Sequence, residues 1–208
     1  MVERGWLGPM EWAAAARPLS SEEACGDQPV AVDVSGTAAL FGVLDGLGHG
    51  SEAARAALCG AEVLRRHPGK PLDALIKLCH RALADTRGAA MTLARIDFDV
   101  DTLSWTGIGN VSADLVAKTP GGIELRSSAH LAGGIVGYRI PKTLRTQAVP
   151  IRRGDLLVMA SDGIANDHLD SIDFAASATM IAEQILRRHR KGTDDALVLA
   201  ARHRGSSP

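Results

Sequence analysis

Two apolar periodicities divide the chain. Up to residue 44 the apolar positions come in short, valine-rich runs that suit strands. A first strand is expected around Trp12, a polar loop over 20–27, a strand over 30–34, a turn at Ser35-Gly36 and a strand over 37–44. The next stretch, Asp45-Gly46-Leu47-Gly48-His49-Gly50, is too rich in glycine for regular structure. The period then becomes helical. Ala54, Ala57, Leu58, Ala61 and Leu64 predict a helix capped by Ser51 and ended near 67 by Pro68-Gly69. Leu72, Leu75, Ile76, Cys79 and Leu83 predict a second over 72–85.

From residue 91 the period is two, with strands expected over 91–96, 102–106, 111–118, 123–127, 144–149 and 156–160. Their short connections, such as Pro120-Gly121-Gly122, imply antiparallel pairing. A third helix is expected over 171–188, apolar at Ile172, Ala175, Ile181, Ile185 and Leu186, with Arg187 and Arg188 suiting the dipole of its last turn. A final strand is expected over 196–200. Many antiparallel strands with few helices make an α+β fold, sheets covered by helices. Neither a repeat nor a linker interrupts residues 1–208, so one domain is expected.

Composition narrows the partners. With 23 Lys+Arg against 24 Asp+Glu the net charge is −1, which excludes a general electrostatic grip on nucleic acid or an anionic membrane. An apolar share of 46% and a charged share of 23% are those of a globular protein. No run approaches the ~18 to 20 apolar residues of a membrane helix. The first residues lack the basic and apolar regions of a signal peptide. Cys25, Cys59 and Cys79 are widely spaced and form no C-x-x-C. They read as small buried hydrophobes of a protein in the reducing cytoplasm.

The P-loop, HExxH and GxSxG signatures are absent, and Met159-Ala160-Ser161-Asp162-Gly163 only approaches the last. What the chain offers instead is carboxylates at strand ends. Asp27 precedes one strand, Asp45 follows another, Asp162 follows a third by one residue, and Asp194 and Asp195 precede the last. Any single Asp-Gly pair is an ordinary turn, and Asp99 and Asp101 read as a solvated hairpin. The signal lies in the set. Carboxylates converging on one sheet edge repel unless cations neutralise them. Ligands that are all oxygen select hard ions such as Mg²⁺ or Mn²⁺. Glycine after the acid permits a tight turn that brings its carbonyl to a metal.

The order Cys25-Gly26-Asp27, Asp45-Gly46-Leu47-Gly48-His49-Gly50, Gly107-Ile108-Gly109-Asn110-Val111, Ser161-Asp162-Gly163 and Gly192-Thr193-Asp194-Asp195 resembles the metal-dependent serine/threonine protein phosphatases of the 2C type. It is most similar to their bacterial sporulation and stress-response branch, over residues 10–203. The resemblance implies an αββα sandwich, two packed antiparallel sheets flanked by helices. It implies two Mn²⁺ or Mg²⁺ ions, with Asp45 bridging them, the Gly46 carbonyl on one, Asp162 and Asp194 on the other, and Asp27 bound directly or through water. Asp195 and Gly163 would buttress these ligands. The implied reaction is hydrolysis of phosphoserine or phosphothreonine on a protein partner such as a stressosome component or an anti-sigma antagonist. His49 would protonate the departing oxygen, which suits a group with an ordinary pKa near ~6.5, or it is a loop histidine bonded locally.

Two departures stand out. Residues 19–23 carry no arginine of the kind that holds phosphate in eukaryotic relatives, so phosphate binding is expected to rest on the metals. Ala113 stands where the wider family has a carboxylate for a third metal, and Asp114 would face the opposite side of its strand. The segment 130–140, with Gly133, Gly134 and Gly137, either borders the substrate groove or is a connection needing positive φ. Two other functions compete. Asp45-Gly46-Leu47-Gly48 partly imitates the D-x-G-x-G box of ATP-binding histidine kinases, but no preceding helix carries E-x-x-x-N. A non-catalytic binding module on the phosphatase fold would not need every one of the acids.

Overall fold

The computed structural model describes residues 1–205. The strands in chain order are β1 (Val2–Leu7), β2 (Met10–Arg17), β3 (Asp27–Val34) and β4 (Ala38–Gly46). Two helices come next, α1 (Ser51–Arg66) and α2 (Leu72–Ala82). Then come β5 (Ala89–Asp97), β6 (Thr102–Ile108), β7 (Ser112–Thr119), β8 (Gly122–Ser128), the two-residue β9 (Leu131–Ala132), β10 (Gln147–Pro150) and β11 (Leu156–Ala160). The last helix and strand are α3 (Ala178–His189) and β12 (Ala196–His203). One sheet runs β1-β2-β12-β11-β7-β8 and the other β10-β6-β5-β4-β3, with β9 joined to β6. Every pairing is antiparallel except β6 with β9.

The period of two sorts each central strand between two cores. On β4, Ala39, Phe41 and Val43 enter the core between the sheets, while Leu40 and Leu44 meet Ala57, Leu64 and Ile76 of α1 and α2. On β12, Leu197, Leu199 and Ala201 face the other sheet, and Val198 and Ala200 face Ile181 and Ile185 of α3. The layers are therefore helix, sheet, sheet, helix, the expected αββα sandwich. Strands covered on both faces read as continuous apolar runs, which is why β4 and β11 look unbroken in the sequence.

Several boundaries differ from expectation: β3 already takes in Asp27, β4 runs on through Asp45 and Gly46, and β12 continues to His203. Ser51 is the first helical residue, and Gly50, with φ +76°, occupies the cap without a side-chain bond. The third helix begins at Ala178, not near 171. Ser177 caps it by accepting from Met180 N at 3.3 Å, and a single 3₁₀ turn, His168–Ser171, precedes it. The strand expected over 144–149 is confined to Gln147–Pro150. The apolar pattern gives no sign of β1: its burial alternates only between exposed and intermediate, so Trp6 stays exposed and little periodicity survives.

Candidate metal centre

The same alternation that fills the inter-sheet core carries four polar groups to one end of it. Residues 39, 41 and 43 of β4 point between the sheets, and Asp45 is next in that series. Asp27 of β3 lies directly opposite Asp45 in the antiparallel register, so the two carboxylates share a face, a destabilising pairing of like charges. From the other sheet, Leu157 and Met159 of β11 lead to Ser161, and Leu199 and Leu197 of β12 lead back to Asp195. Asp162 and Asp194 sit on the adjoining turns.

Electrostatics reports the crowding. Burial, and then Asp162, Asp194 and Asp195, push the Asp45 carboxyl up from 3.8 to about 7. Burial and the Asp45 charge hold Asp27 well above the usual carboxylate range, against the opposing bond from Ser161. Asp162 is raised by burial and by Asp194, with Lys191 and Asn110 pulling the other way. Five aspartates from the two sheets thus crowd together at one end of the sandwich.

Most of these carboxylates are held by protein donors. The buried Ser161 hydroxyl donates to Asp27 Oδ2 at 2.7 Å and accepts from Leu197 N at 2.9 Å. Asn110 Nδ2 donates to Asp162 Oδ2 at 2.7 Å, and Lys191 Nζ donates to the Asp162 carbonyl at 2.6 Å. Asp194 Oδ1 accepts from Asp195 N at 2.8 Å. Asp195 is a latch: its two oxygens accept from Leu19 N at 2.7 Å and Gly26 N at 2.9 Å. It fixes the segment that delivers Asp27. Among the described residues, no donor reaches the Asp45 carboxylate.

Asp195→Ala would strand two backbone N–H groups, at about 1–3 kcal/mol each where they are buried. Thermal unfolding is expected to show a loss of about 2–4 kcal/mol. Asp195→Asn, which keeps one acceptor, should lose less. Equal stability of Ala and wild type would refute the latch.

Ser161, Asn110, Lys191 and Glu22 are not singled out by sequence reasoning, although Ser161 and Asn110 lie inside the motifs that are. Ser161 is detectable by parity, since it continues the inward series of β11.

The glycines act differently from expectation. Neither Gly46 nor Gly163 has positive φ. Each is required by close approach: a methyl on Gly46 would stand 2.0 Å from the Ala53 carbonyl oxygen of α1, and one on Gly163 would stand 1.9 Å from that of Asp195. Gly46 N also donates to the Gly26 carbonyl at 3.0 Å. Glycine lets the two loops and α1 close onto the acids.

Ala113 is buried in the inter-sheet core, while Asp114 faces away and accepts from Ser128 Oγ at 2.6 Å. Neither presents a carboxylate to the cluster. His49 is exposed, and its Nδ1 lies 2.7 Å from Glu22 Oε1. In the glycine-rich segment, Gly134 and Gly137 take positive φ of +146° and +102°. Gly134 borders a cavity of about 600 Å³ lined also by Arg139, Pro141 and Lys142. The Cys25 thiol, beside Asp27, is pushed up to about 12 by burial and that carboxylate, so it stays protonated and inert.

Among the described residues, no three His, Cys, Asp or Glu side chains stand grouped as a ready-made shell for one ion. The donor chemistry still fits hard divalent ions. The donors are all carboxylate oxygens, their mutual repulsion is offset only in part, by Lys191 at Asp162, and Mg²⁺ in particular keeps several waters and needs few protein ligands.

Comparison with known proteins agrees with this architecture. A phosphoserine phosphatase of Bacillus subtilis (strain 168), RsbX, is 23% identical over 128 residues, a match spanning 60% of each chain. A chain solved in work on the bacterial stressosome as a modular system adapted to control secondary messenger signalling superposes with a TM-score of 0.82 at 29% identity, over 93% of this chain and 99% of that one. RsbX solved in complex with magnesium superposes with a TM-score of 0.80 at 19% identity, over 97% and 98% of the two chains. The family model for stage II sporulation protein E matches residues 35–204, from the turn before β4 to the end of β12, and so takes in every aspartate of the cluster except Asp27. The chain belongs to the SpoIIE family.

Proposed function

We propose that this protein is a metal-dependent phosphoprotein phosphatase that hydrolyses phosphoserine or phosphothreonine on a cytoplasmic signalling partner. The observation that carries the proposal is the convergence of Asp27, Asp45, Asp162 and Asp194 from both sheets at one end of the sandwich, with the Asp45 carboxyl pushed up to about 7 and without a donor. In this reading Asp45, the Gly46 carbonyl, Asp162 and Asp194 would hold two Mg²⁺ or Mn²⁺ ions, with Asp27 contributing directly or through water. Two such ions supply positive charge for the phosphoryl oxygens and an activated water near neutral pH. Ser161, Asn110 and Asp195 hold the carboxylates in place, and Gly163 admits the Asp195 loop. The relatives named as a phosphoserine phosphatase and as part of stressosome work support a phosphorylated stressosome or anti-sigma antagonist protein as substrate. Among the described residues, no helix is long and apolar enough to cross a membrane.

The test is phosphate release from phosphoserine and phosphothreonine forms of such partners, with Mn²⁺ or Mg²⁺ and with EDTA. Metal-dependent release supports the proposal. Nucleotide binding without release would favour the kinase-like alternative, and neither activity would favour a binding module.

His49 is assigned the proton delivered to the departing serine or threonine oxygen, with Glu22 at 2.7 Å orienting the imidazole. His49→Ala is expected to lower kcat on a phosphoserine peptide by about a hundredfold. Hydrolysis of p-nitrophenyl phosphate, whose leaving group needs no proton, should change much less. Equal losses on the two substrates would remove the assignment.

A further inference from the structure

A phosphate monoester brings close to two negative charges to an edge already lined with carboxylates. The metals offset part of that charge, but orientation of the phosphoryl oxygens calls for directional donors, which arginine supplies as a planar fork. The segment 19–23 has none. Two cations are nevertheless seated at this end of the sandwich. Lys191 is committed, its ammonium donating to the Asp162 carbonyl at 2.6 Å. Arg87 is not.

Arg87 lies on the short link between α2 and β5, two residues before Ala89, which faces Gly46 in the β4–β5 register, and three before Ala90, which faces Asp45. The link is tied to the glycine-rich loop by a bond from Leu47 N to the Gly88 carbonyl at 3.0 Å. The guanidinium reaches over that loop: a methyl on Gly48, whose φ is +88°, would stand 3.0 Å from Arg87 Nη1. The side chain is exposed, and among the described residues it has neither an ion-pair nor a hydrogen-bond partner. Arg55, Arg66, Arg126 and Arg204 pair with carboxylates; what sets Arg87 apart from the other unpaired arginines is its place against the glycine-rich loop that follows Asp45. An unpaired guanidinium thus lies against the glycine-rich loop that leads away from Asp45, with all its donors free.

We propose that Arg87 binds the phosphoryl group of the substrate from the glycine-loop side of the centre, doing from the α2–β5 link what residues 19–23 cannot. This rests on the phosphatase reading above. It replaces the expectation that phosphate is held by metals alone, and it predicts useful affinity for small phosphate anions.

Inorganic phosphate titrated calorimetrically into the Mg²⁺-loaded protein is the direct probe. Arg87→Ala is expected to weaken the phosphate Kd by about tenfold or more. Arg87→Lys, which keeps the charge and loses the fork, should recover part of it. Arg66→Ala, which removes one charge at the far end of α1, should bind phosphate like wild type. Mg²⁺ affinity should be unchanged in all three, and the KM for p-nitrophenyl phosphate should rise in Arg87→Ala more than kcat falls. If the wild type hydrolyses phosphoesters and Arg87→Ala binds phosphate within about twofold of it, the role of Arg87 is refuted and the phosphatase reading stands. A fall in Mg²⁺ affinity matching the fall in phosphate affinity also refutes it. If the wild type shows no metal-dependent hydrolysis, both fail.

Discussion

Asp45→Asn is expected to lower metal-dependent phosphate release by roughly a thousandfold or more, as loss of the proposed ligand to both metals would, and at the same time to stabilise the metal-free protein at alkaline pH. The second effect separates a ligand from a structural residue, and its sign comes from the carboxyl being raised from 3.8 to about 7 in the fold. Below pH ~4 the group is protonated in both folded and unfolded chains, and its contribution is fully present. As pH rises towards about 7, the unfolded chain releases the proton and the folded chain holds it, so stability falls. Beyond the folded value both forms are ionised and the loss is complete, at an upper bound of roughly 4 kcal/mol. Asp27 and Asp162 are raised as well and steepen the decline. Asparagine keeps the shape and removes the charge. Thermal unfolding in EDTA should therefore fall between pH 5 and 8 for wild type and less for the variant, with the variant the more stable at pH 8. Excess Mg²⁺ should raise the wild-type midpoint at pH 8 by mass action and leave the variant nearly unmoved. A variant that is less stable than wild type in EDTA at pH 8, or that retains activity, would show that Asp45 is not held against repulsion for a metal.

The aspartates are legible because each sits where a strand meets a loop, and strands of this kind announce themselves. The runs over β4, β5 and β11 are apolar on both faces and bounded by glycine or polar residues, so their ends locate Asp45 and Asp162 within a residue or two. Contacts between residues far apart in the chain are not legible. Asp195 bonds to Leu19 and Gly26, partners 176 and 169 positions away, and no local pattern encodes such a distance. Nor does one mark Arg87, which stands in a link of unremarkable composition and matters only because the β4–β5 register carries that link to the Asp45 end. The third helix shows the opposite failure, a pattern that persists where the helix does not. Ile172 and Phe174 continue the apolar face and are buried with α3. But Asp173 Oδ1 accepts from Ala175 N at 2.8 Å, a turn-forming bond that competes with helix, and Ser177 starts the helix afresh. Burial there requires apolar residues without requiring a helix.

Gly163→Ala carries the largest expected effect on folding, and the cause is space rather than backbone conformation. Backbone φ at Gly163 is open to any residue, so propensity alone predicts a neutral or slightly stabilising change. Space predicts the reverse. The new methyl would stand 1.9 Å from the Asp195 carbonyl oxygen, 2.9 Å from its carbon and 3.1 Å from the Ala196 Cα, all backbone atoms that no side-chain rotation relieves. The Asp162 and Asp195 loops must part, and with them the Lys191 N to Gly163 O bond of 2.9 Å. A loss of about 3 kcal/mol or more is expected, which in a domain of this size lowers the melting midpoint by roughly 10 °C. The same separation moves Asp162 away from Asp194, so Mg²⁺-induced stabilisation should shrink together with the midpoint. Gly192→Ala in the same loop pair is the control. Gly192 has φ +77° and nothing within 4 Å, so it carries only the left-handed backbone penalty of about 1 kcal/mol and should keep its response to Mg²⁺. If Gly163→Ala melts within about 2 °C of wild type, or if Gly192→Ala is the more damaging of the two, then conformation rather than close approach governs these glycines. The packing of the two loops would then not be what brings the carboxylates together.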